Sequence, residues 1–586
     1  MRLLRQLGIL LLVAALAQAA TLARYPYLQD VRAERATVMW TTRESGAGVV
    51  QFSTDRSNWR SAPARMRTFL PAETGLGAPY YQHEAQLSGL AAGTEYFYRV
   101  LVDGQMLAEE EELRFRTPAP GPFRFLVFGD SGLGTPEQGQ LARLMGRERP
   151  ALVLHVGDIS NMAGRFEDYE DYYFAYYRDL MKRTPFYPVA GNHDYLTRDA
   201  AAYVAVHAVP TQGVPESGRG RYYSFDWGNV HFVAIDTNLP FTEAVRGAGP
   251  MLGWLEEDLA QTRQFWRVAY FHHSPYASGF HQGDAIRRDL RTHLIPILER
   301  YNVQVAFHGH EHNYQRTVPL RDGAPATGQG TVYITTGGGG GGLQQFTPYP
   351  LLAFGESAYH YLRAEMDGAR MTLRAFRVDG QEIDRVMLTP APVLAEVPVV
   401  NAASFEARVA PGALVSIFGS NLAPEEGVAG SLPLPVDLGG ANVTLDGKRL
   451  PLLYASSGQL NAQLPFDVLG LGRVRVTTAN GSSEAPVVIA GTAPAVFSIP
   501  TKDGPQPAVV RAGGRIVTAG APAAPGEFLT VYLTGLGRVE GMLEAGQPAP
   551  PVPELLEARA PVTVWVGSLS VQPTYAGLTP GFAGLY

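Results

Sequence analysis

Between Tyr25 and Thr117 apolar and polar residues alternate, as in "ATVMWTT" (Ala36 to Thr42) and "TEYFYRVLVDG" (Thr94 to Gly104), with glycine-rich turns between the runs. A period of two predicts half-buried strands, so this stretch reads as an all-β domain. "TPAPGP" (Thr117 to Pro122) then reads as a linker. From Phe123 to about Pro390 the pattern changes to short continuous apolar runs, among them "FRFLVFG", "ALVLHVG", "FYPVAG", "VHFVAID", "RVAYFHH", "VQVAFHG" and "TVYITTG". Such runs suit strands buried on both faces. Helical stretches lie between several of them, such as "DAIRRDLRTHLIPILERY" (Asp284 to Tyr301), whose apolar positions recur at three and four residues. Strands alternating with helices predict α/β layers. Beyond Pro390 the chain turns rich in Pro, Gly, Ala and Val, with short strands and many turns, which predicts an all-β module. The expected units are 20–119, 120–390 and 391–586, behind a leader at 1–19.

Composition narrows the class. A chain of 586 residues suggests about three to four domains. With 46% hydrophobic and 18% charged residues it is folded, not disordered. The net charge of −7 and only three lysines (Lys182, Lys448, Lys502) leave no basic stripe for nucleic acid. "MRLLRQLGILLLVAALAQAA" carries Arg2 and Arg5, an apolar run from Leu7 to Leu16, and Ala17-Gln18-Ala19 as a small-x-small site. This predicts a signal peptide cut after Ala19 and a secreted protein, periplasmic or extracellular. The run is short for a membrane span, which needs about 20 apolar residues. There is no cysteine. Disulfides, thiolate metal sites and cysteine nucleophiles are therefore excluded, and any metal must be held by nitrogen and oxygen.

Twelve of the thirteen histidines lie between His155 and His360, the exception being His83. Polar residues follow the apolar runs in order. "VFGDSG" brings Asp130, "HVGDIS" Asp158, "PVAGNHD" Asn192, His193 and Asp194, "VAYFHHSPY" His272 and His273, and "AFHGHEH" His310 and His312. Carboxylates, an amide and imidazoles together match the mixed donor sets that hold iron, manganese or zinc.

The order GD-x-G, GD, GNHD, H-x-P-Y and GH-x-H resembles that of the calcineurin-like metallophosphoesterases. With the β domain in front, the chain most resembles purple acid phosphatases. "LSGLAAGTEYFYRV" is similar to the corner of a fibronectin type III sandwich, where a tyrosine hydroxyl pins the turn. The resemblance implies a central four-layer α/β sandwich with two metal ions, iron paired with zinc, manganese or iron. The first metal would take Asp130, the bridging Asp158 and His312, and the second Asp158, Asn192, His273 and His310. A hydroxide held at this centre would attack a phosphomonoester in line. A phosphodiesterase or nucleotidase on the same site, or an inactive surface-binding protein, are the rival readings.

Within the same resemblance His193 faces the phosphate as donor or general acid, with Asp194 either bonding its ring or capping a turn. His281 is either a second substrate-facing histidine or a surface one. The H-x-P pattern selects His273 over His272, which then packs behind the ligands, as His155 and His308 do in the core. Glu311 is expected to point away from the site. One position departs from the family. Purple acid phosphatases carry a tyrosine three residues after the bridging aspartate, and Asn161 stands there instead, binding through its amide oxygen or not at all. A ferric site and a purple colour lose their phenolate. "TTGGGGGGL" (Thr335 to Leu343) lacks the Lys-Ser/Thr of a nucleotide loop and reads as a flexible loop near the rim of the site. The last 196 residues resemble a β-sandwich module of exported bacterial proteins that commonly continues past "YAGLTPGFAGLY" (Tyr575 to Tyr586), so a cut-short module and an extracellular partner are expected there.

Overall fold

The structure, a computed structural model, describes residues 19–239, 250–326, 330–501 and 504–586. The expected leader lies, apart from Ala19, outside the described residues.

Alternation in the first region produces eight strands on one continuous ladder, in the order Leu22–Gln29, Arg35–Thr42, Tyr80–Ser88, Arg60–Phe69, Gly48–Ser53, Glu95–Val102 and Gln105–Ala108, with Arg114–Arg116 also on Glu95–Val102. Val38, Trp40, Val50, Phe52, Tyr98 and Val100 point inward and are buried. His83 belongs to this core. Its ring stacks on Trp40 at 4.8 Å and Nε2 meets Thr42 Oγ1 at 2.9 Å. The Tyr96 hydroxyl accepts from the Ala91 amide at 2.9 Å and pins the turn before its strand. Tyr27 and Tyr98 donate to the Val206 and Lys182 carbonyls (2.7 and 2.6 Å), which fastens this domain to the central one.

The central domain is two sheets face to face. One has the order Phe186–Pro188, Leu152–His155, Phe123–Phe128, His360–Asp367, Arg370–Arg377 and Glu382–Leu388. The other runs Tyr223–Trp227, Val230–Ala234, Trp266–Tyr270, Val305–His308, Val332–Thr336, Tyr314–Thr317 and Leu352–Glu356. Phe125 meets Phe232 edge-on at 5.2 Å across the interface. The apolar runs are continuous because both faces are covered. Phe125, Val127, Leu152 and Leu154 face the second sheet, while Leu126, Phe128 and Val153 face outward onto Leu141 and Met145 of the helix Pro136–Glu148. The stretch from Ala285 to Arg300 is helical as expected, but widens to a π turn at Leu290–Leu294, just before Pro296, whose nitrogen has no hydrogen to donate.

Direction matters more than order. The strands ending at Phe128, His155 and Pro188 are mutually parallel, and so are those ending at Ala234, Tyr270 and His308. Their carboxyl ends therefore open on one edge, and the polar residues that follow them collect there.

The C-terminal region is all-β. Val393–Asn401, Leu414–Ser420, Gln459–Gln463, Leu452–Ala455 and Gly427–Val428 form one sheet; Asp437–Leu438, Ala441–Leu445, Gly470–Thr478 and Gly481–Ile489 run through a second. Val415, Ile417, Val443, Leu460 and Val476 fill a shared core. Beyond Ala495 short two-stranded ladders enclose a smaller core around Leu536, Leu578 and Tyr586.

Candidate metal centre

Five strand ends deliver the site, and three of its residues reach it through left-handed backbone: Asp130 (φ 56°), Asp158 (φ 49°) and His310 (φ 72°). Non-glycine residues hold that region only where the surroundings enforce it. Here the Asp130 amide donates to the Gly157 carbonyl at 3.0 Å, and the His310 amide donates to Asp130 Oδ1 at 2.9 Å. The glycines of the motifs make room for these loops. A Cβ at Gly191 would stand 2.0 Å from Asp158 Oδ1, and one at Gly309 would stand 2.2 Å from Asp130 Oδ2.

Asp130, Asp158 and His272 offer ligand atoms within 4.8 Å of one another. The His272 Nδ1 donates to the Val156 carbonyl (3.0 Å), so Nε2 faces the site, 2.9 Å from Asn192 Oδ1, 3.3 Å from His310 Nδ1 and 3.5 Å from Asp158 Oδ1. His310 Nε2 donates to Asp284 Oδ2 at 2.9 Å, which leaves its Nδ1 lone pair directed inward. His312 Nδ1 donates to the Gly342 carbonyl (2.9 Å), and its Nε2 points at Asp130 Oδ1 from 3.5 Å. Each imidazole thus has one nitrogen tied to an oxygen and the other presented to the centre, the arrangement that orients a ligating histidine.

The charge pattern agrees. Asp130 and Asp158 are fully buried, and no lysine or arginine pairs with either among the described residues. Burial pushes the Asp130 carboxyl above the usual range. Burial also works to raise Asp158, but the neighbouring His272 charge outweighs it and holds the carboxyl low. Burial lowers His272, yet Asp158 and Asp130 lift it to about 9. Two buried carboxylates facing three inward nitrogens demand positive charge between them, and the donor set fits a pair of borderline divalent or trivalent cations.

The sequence reading requires correction at three places. His272, and not His273, is the histidine directed at Asp158, Asn192 and His310; His273 turns its Nδ1 to Thr237 Oγ1 at 2.8 Å. Distance along the chain to Pro275 does not report which ring turns inward; the Val156 carbonyl fixes His272 with Nε2 toward the cluster, while Thr237 takes the Nδ1 of His273. Asp194 does not serve the His193 ring. Its carboxylate accepts from the amides of Gly191 (2.8 Å), Ser160 (3.1 Å) and Ile159 (3.2 Å) and from the Tyr169 hydroxyl (2.6 Å). Glu311 spends its carboxylate on the Phe280 and His281 amides, at 3.0 and 2.9 Å, and holds that loop. The glycine run is not a loose loop. Residues 335–341 are buried, and a Cβ on Gly337, Gly339 or Gly341 would fall 2.3, 2.3 and 2.7 Å from neighbouring atoms.

His193 lies at the rim. Its amide donates to Asp158 Oδ1 (2.9 Å), its Nε2 is 3.9 Å from Asp158 Oδ2, and its side chain is 36% exposed. The His281 ring lies 3.9 Å from that of His310, centre to centre, with Nδ1 3.4 Å from Asp284 Oδ2. Asn161 is nearly buried beside the site, its Nδ2 3.5 Å from His312 Nε2. Sequence reasoning passed over Asp284, although a carboxylate three residues after His281 was there to be weighed.

Two mixed sheets whose parallel strands bring a carboxylate–imidazole cluster to a shared edge form the arrangement of a metal-dependent hydrolase site. Residues 123–314 match the calcineurin-like phosphoesterase family and residues 26–117 the purple acid phosphatase N-terminal domain. The chain thus carries a calcineurin-like phosphoesterase domain behind a domain like the purple acid phosphatase N-terminal one, followed by an all-β C-terminal region. Among its relatives, the probable inactive purple acid phosphatase 1 of Arabidopsis thaliana is 27% identical over 373 residues, covering 54% of this chain and 60% of the relative. Purple acid phosphatase 23 of the same plant is 29% identical over 298 residues, covering 44% of this chain and 62% of that protein. The chain thus spans about three-fifths of these relatives' length. The solved structure of purple acid phosphatase PPD1 from yellow lupin (Lupinus luteus) seeds shares the fold, with a TM-score of 0.56 at 21% identity over 64% of this chain and 74% of that one.

Proposed function

We propose that this chain is an exported phosphatase that hydrolyses phosphomonoesters at a two-metal centre. The observation that carries the reading is the convergence of Asp130, Asp158, Asn192, His272, His310 and His312, with one nitrogen of each imidazole fixed outward. Asp130 and His312 would hold one cation, Asn192, His272 and His310 the other, and Asp158 would bridge them; Asn161 has its Nδ2 toward His312 and would serve the first cation only with its amide turned over. Iron with zinc, manganese or a second iron suits this set, and such a pair supplies Lewis acidity to an attacking water and to the phosphoryl oxygens.

The chain's own groups do the rest. His193, exposed at the rim with its backbone anchored on Asp158, faces an ester oxygen and can donate a proton to it. His281, positioned by Glu311 through its amide, lies on the opposite side above His310 and can hydrogen-bond a second phosphoryl oxygen. The fibronectin-like corner at Tyr96 and the C-terminal sheets give the exported protein surfaces for an extracellular partner.

A second reading has its own support. Four relatives carry names that call them probable inactive purple acid phosphatases, and Asn161 replaces the expected tyrosine, so a metal-binding protein without turnover fits as well. Hydrolysis rates of p-nitrophenyl phosphate and of bis(p-nitrophenyl) phosphate by the metal-loaded protein decide among these. Faster monoester turnover is expected; preference for the diester would make it a phosphodiesterase, and no turnover with two metals bound would make it a binding protein.

A further inference from the structure

A basic cleft separate from the metal centre lies between the central domain and the C-terminal region. It encloses about 1160 Å³. Arg263, Arg267, Arg300 and Arg321 line it, and no carboxylate does among the described residues. Of these only Arg300 has an acidic partner, Glu256 at 2.8 Å. Arg321 donates to Asn302 Oδ1 at 3.1 Å, and the exposed Arg263 forms no ion pair among the described residues.

Arg267 is the unusual member. It is only 7% exposed, and its Nε and Nη1 are buried without a hydrogen-bond partner. Its backbone is fixed at the junction: the amide donates to Gln304 Oε1 (2.7 Å), and Gln304 Nε2 reaches Asn421 Oδ1 of the C-terminal region at 3.2 Å. Burial lowers its pKa only to about 10, so it stays charged at neutral pH. A buried charge lacking a partner is strongly destabilising unless something supplies the opposite charge. A guanidinium fork is built to receive two oxygens of one oxyanion. Aromatic Phe418 and Tyr454 form part of the opposite wall, contributed by the C-terminal region.

We propose that this cleft is an anion-binding site for a phosphate group, gripped by Arg267 and neutralised by Arg263 and Arg321. Arg267 is the second residue of the strand Trp266–Tyr270, and His272 follows its other end, five residues on from Arg267. At about 3.3 Å per residue the two sites are separated by about 16 Å along one strand. The site is therefore distinct from the metal centre and does not depend on the chain being a phosphatase.

Equilibrium dialysis of the metal-loaded full chain with radiolabelled inorganic phosphate tests this. The double variant Arg263→Gln/Arg321→Gln changes only exposed side chains and should bind one phosphate fewer per chain. Arg267→Met should lose the same phosphate and also raise the melting temperature of the phosphate-free protein, because it removes an unpaired buried charge. A parallel arm with a non-hydrolysable alkyl phosphonate separates the sources: tighter phosphonate binding assigns the site to a phosphate ester, and weaker binding to free phosphate. Unchanged phosphate stoichiometry in the double variant would overturn the proposal, and so would a lowered melting temperature in Arg267→Met without loss of a phosphate.

Discussion

His272 Nε2 lies 2.9 Å from Asn192 Oδ1, while its Nδ1 is bonded to the Val156 carbonyl at 3.0 Å. A ring fixed in this way can give only Nε2 to a metal, and it is His272, not the neighbouring His273, whose free nitrogen meets Asn192, His310 and Asp158. His272→Ala is expected to reduce bound metal from two ions per chain to about one, with His273→Ala keeping both. Elemental analysis of the purified variants after loading with iron and zinc checks this; the reverse pattern would return the ligand to His273.

The glycine run offers a steric test. A Cβ at Gly341 would lie 2.7 Å from His312 Cε1 and 2.8 Å from Asn161 Nδ2, whereas one at Gly342 meets nothing within 4 Å. Gly341→Ala should push His312 off its line to Asp130 and weaken the first metal by about 10–100-fold, the range found when a ligand's support is disturbed. Gly342→Ala should leave metal affinity unchanged. Competitive chelator titration reads both.

Asp194 is a structural carboxylate. Three backbone amides and the Tyr169 hydroxyl end on it, so it ties the loop that carries Asn192 and His193 to the loop that follows Asp158. Asp194→Ala strands those donors, each worth about 1–3 kcal/mol when left buried and unpaired, so a loss of about 3 kcal/mol or more is expected. Tyr169→Phe removes one bond and should cost about 1–2 kcal/mol. Urea denaturation measures both, and an Asp194→Ala protein of native stability with altered pH-rate behaviour would restore it to catalysis.

Away from the site, His231 is held between Asp226 (2.7 Å) and Asp258 (2.7 Å). Burial lowers its pKa, but the two carboxylates outweigh this and raise it to about 9. A folded-state value above the unfolded one, about 6.5, means the added stability is complete below pH about 6.5 and vanishes as pH rises through about 9. The effect is on the order of 2–3 kcal/mol. Unfolding free energy should therefore fall between these pH values in the native protein, and His231→Gln should flatten that slope. Equal slopes would show that the triad adds nothing.

Much was legible beforehand because it is local. Period-two alternation follows from side chains pointing to opposite faces of a strand, and "ATVMWTT" became Arg35–Thr42. Continuous apolar runs became strands buried on both faces, and the residue types after them named a carboxylate–imidazole site. The glycines of GNHD and GH-x-H were visible as motif letters, although only contact with Asp158 and Asp130 explains them. The sequence by itself determined the chemistry available at each strand end. Which atoms meet was decided by tertiary structure, because it depends on where a strand stops and how a loop returns. That is why two adjacent histidines exchanged roles, why Asp194 turned to the backbone, and why Arg267, one of many scattered arginines in the sequence, proved to be buried without a partner at the opposite end of the strand that leads to His272.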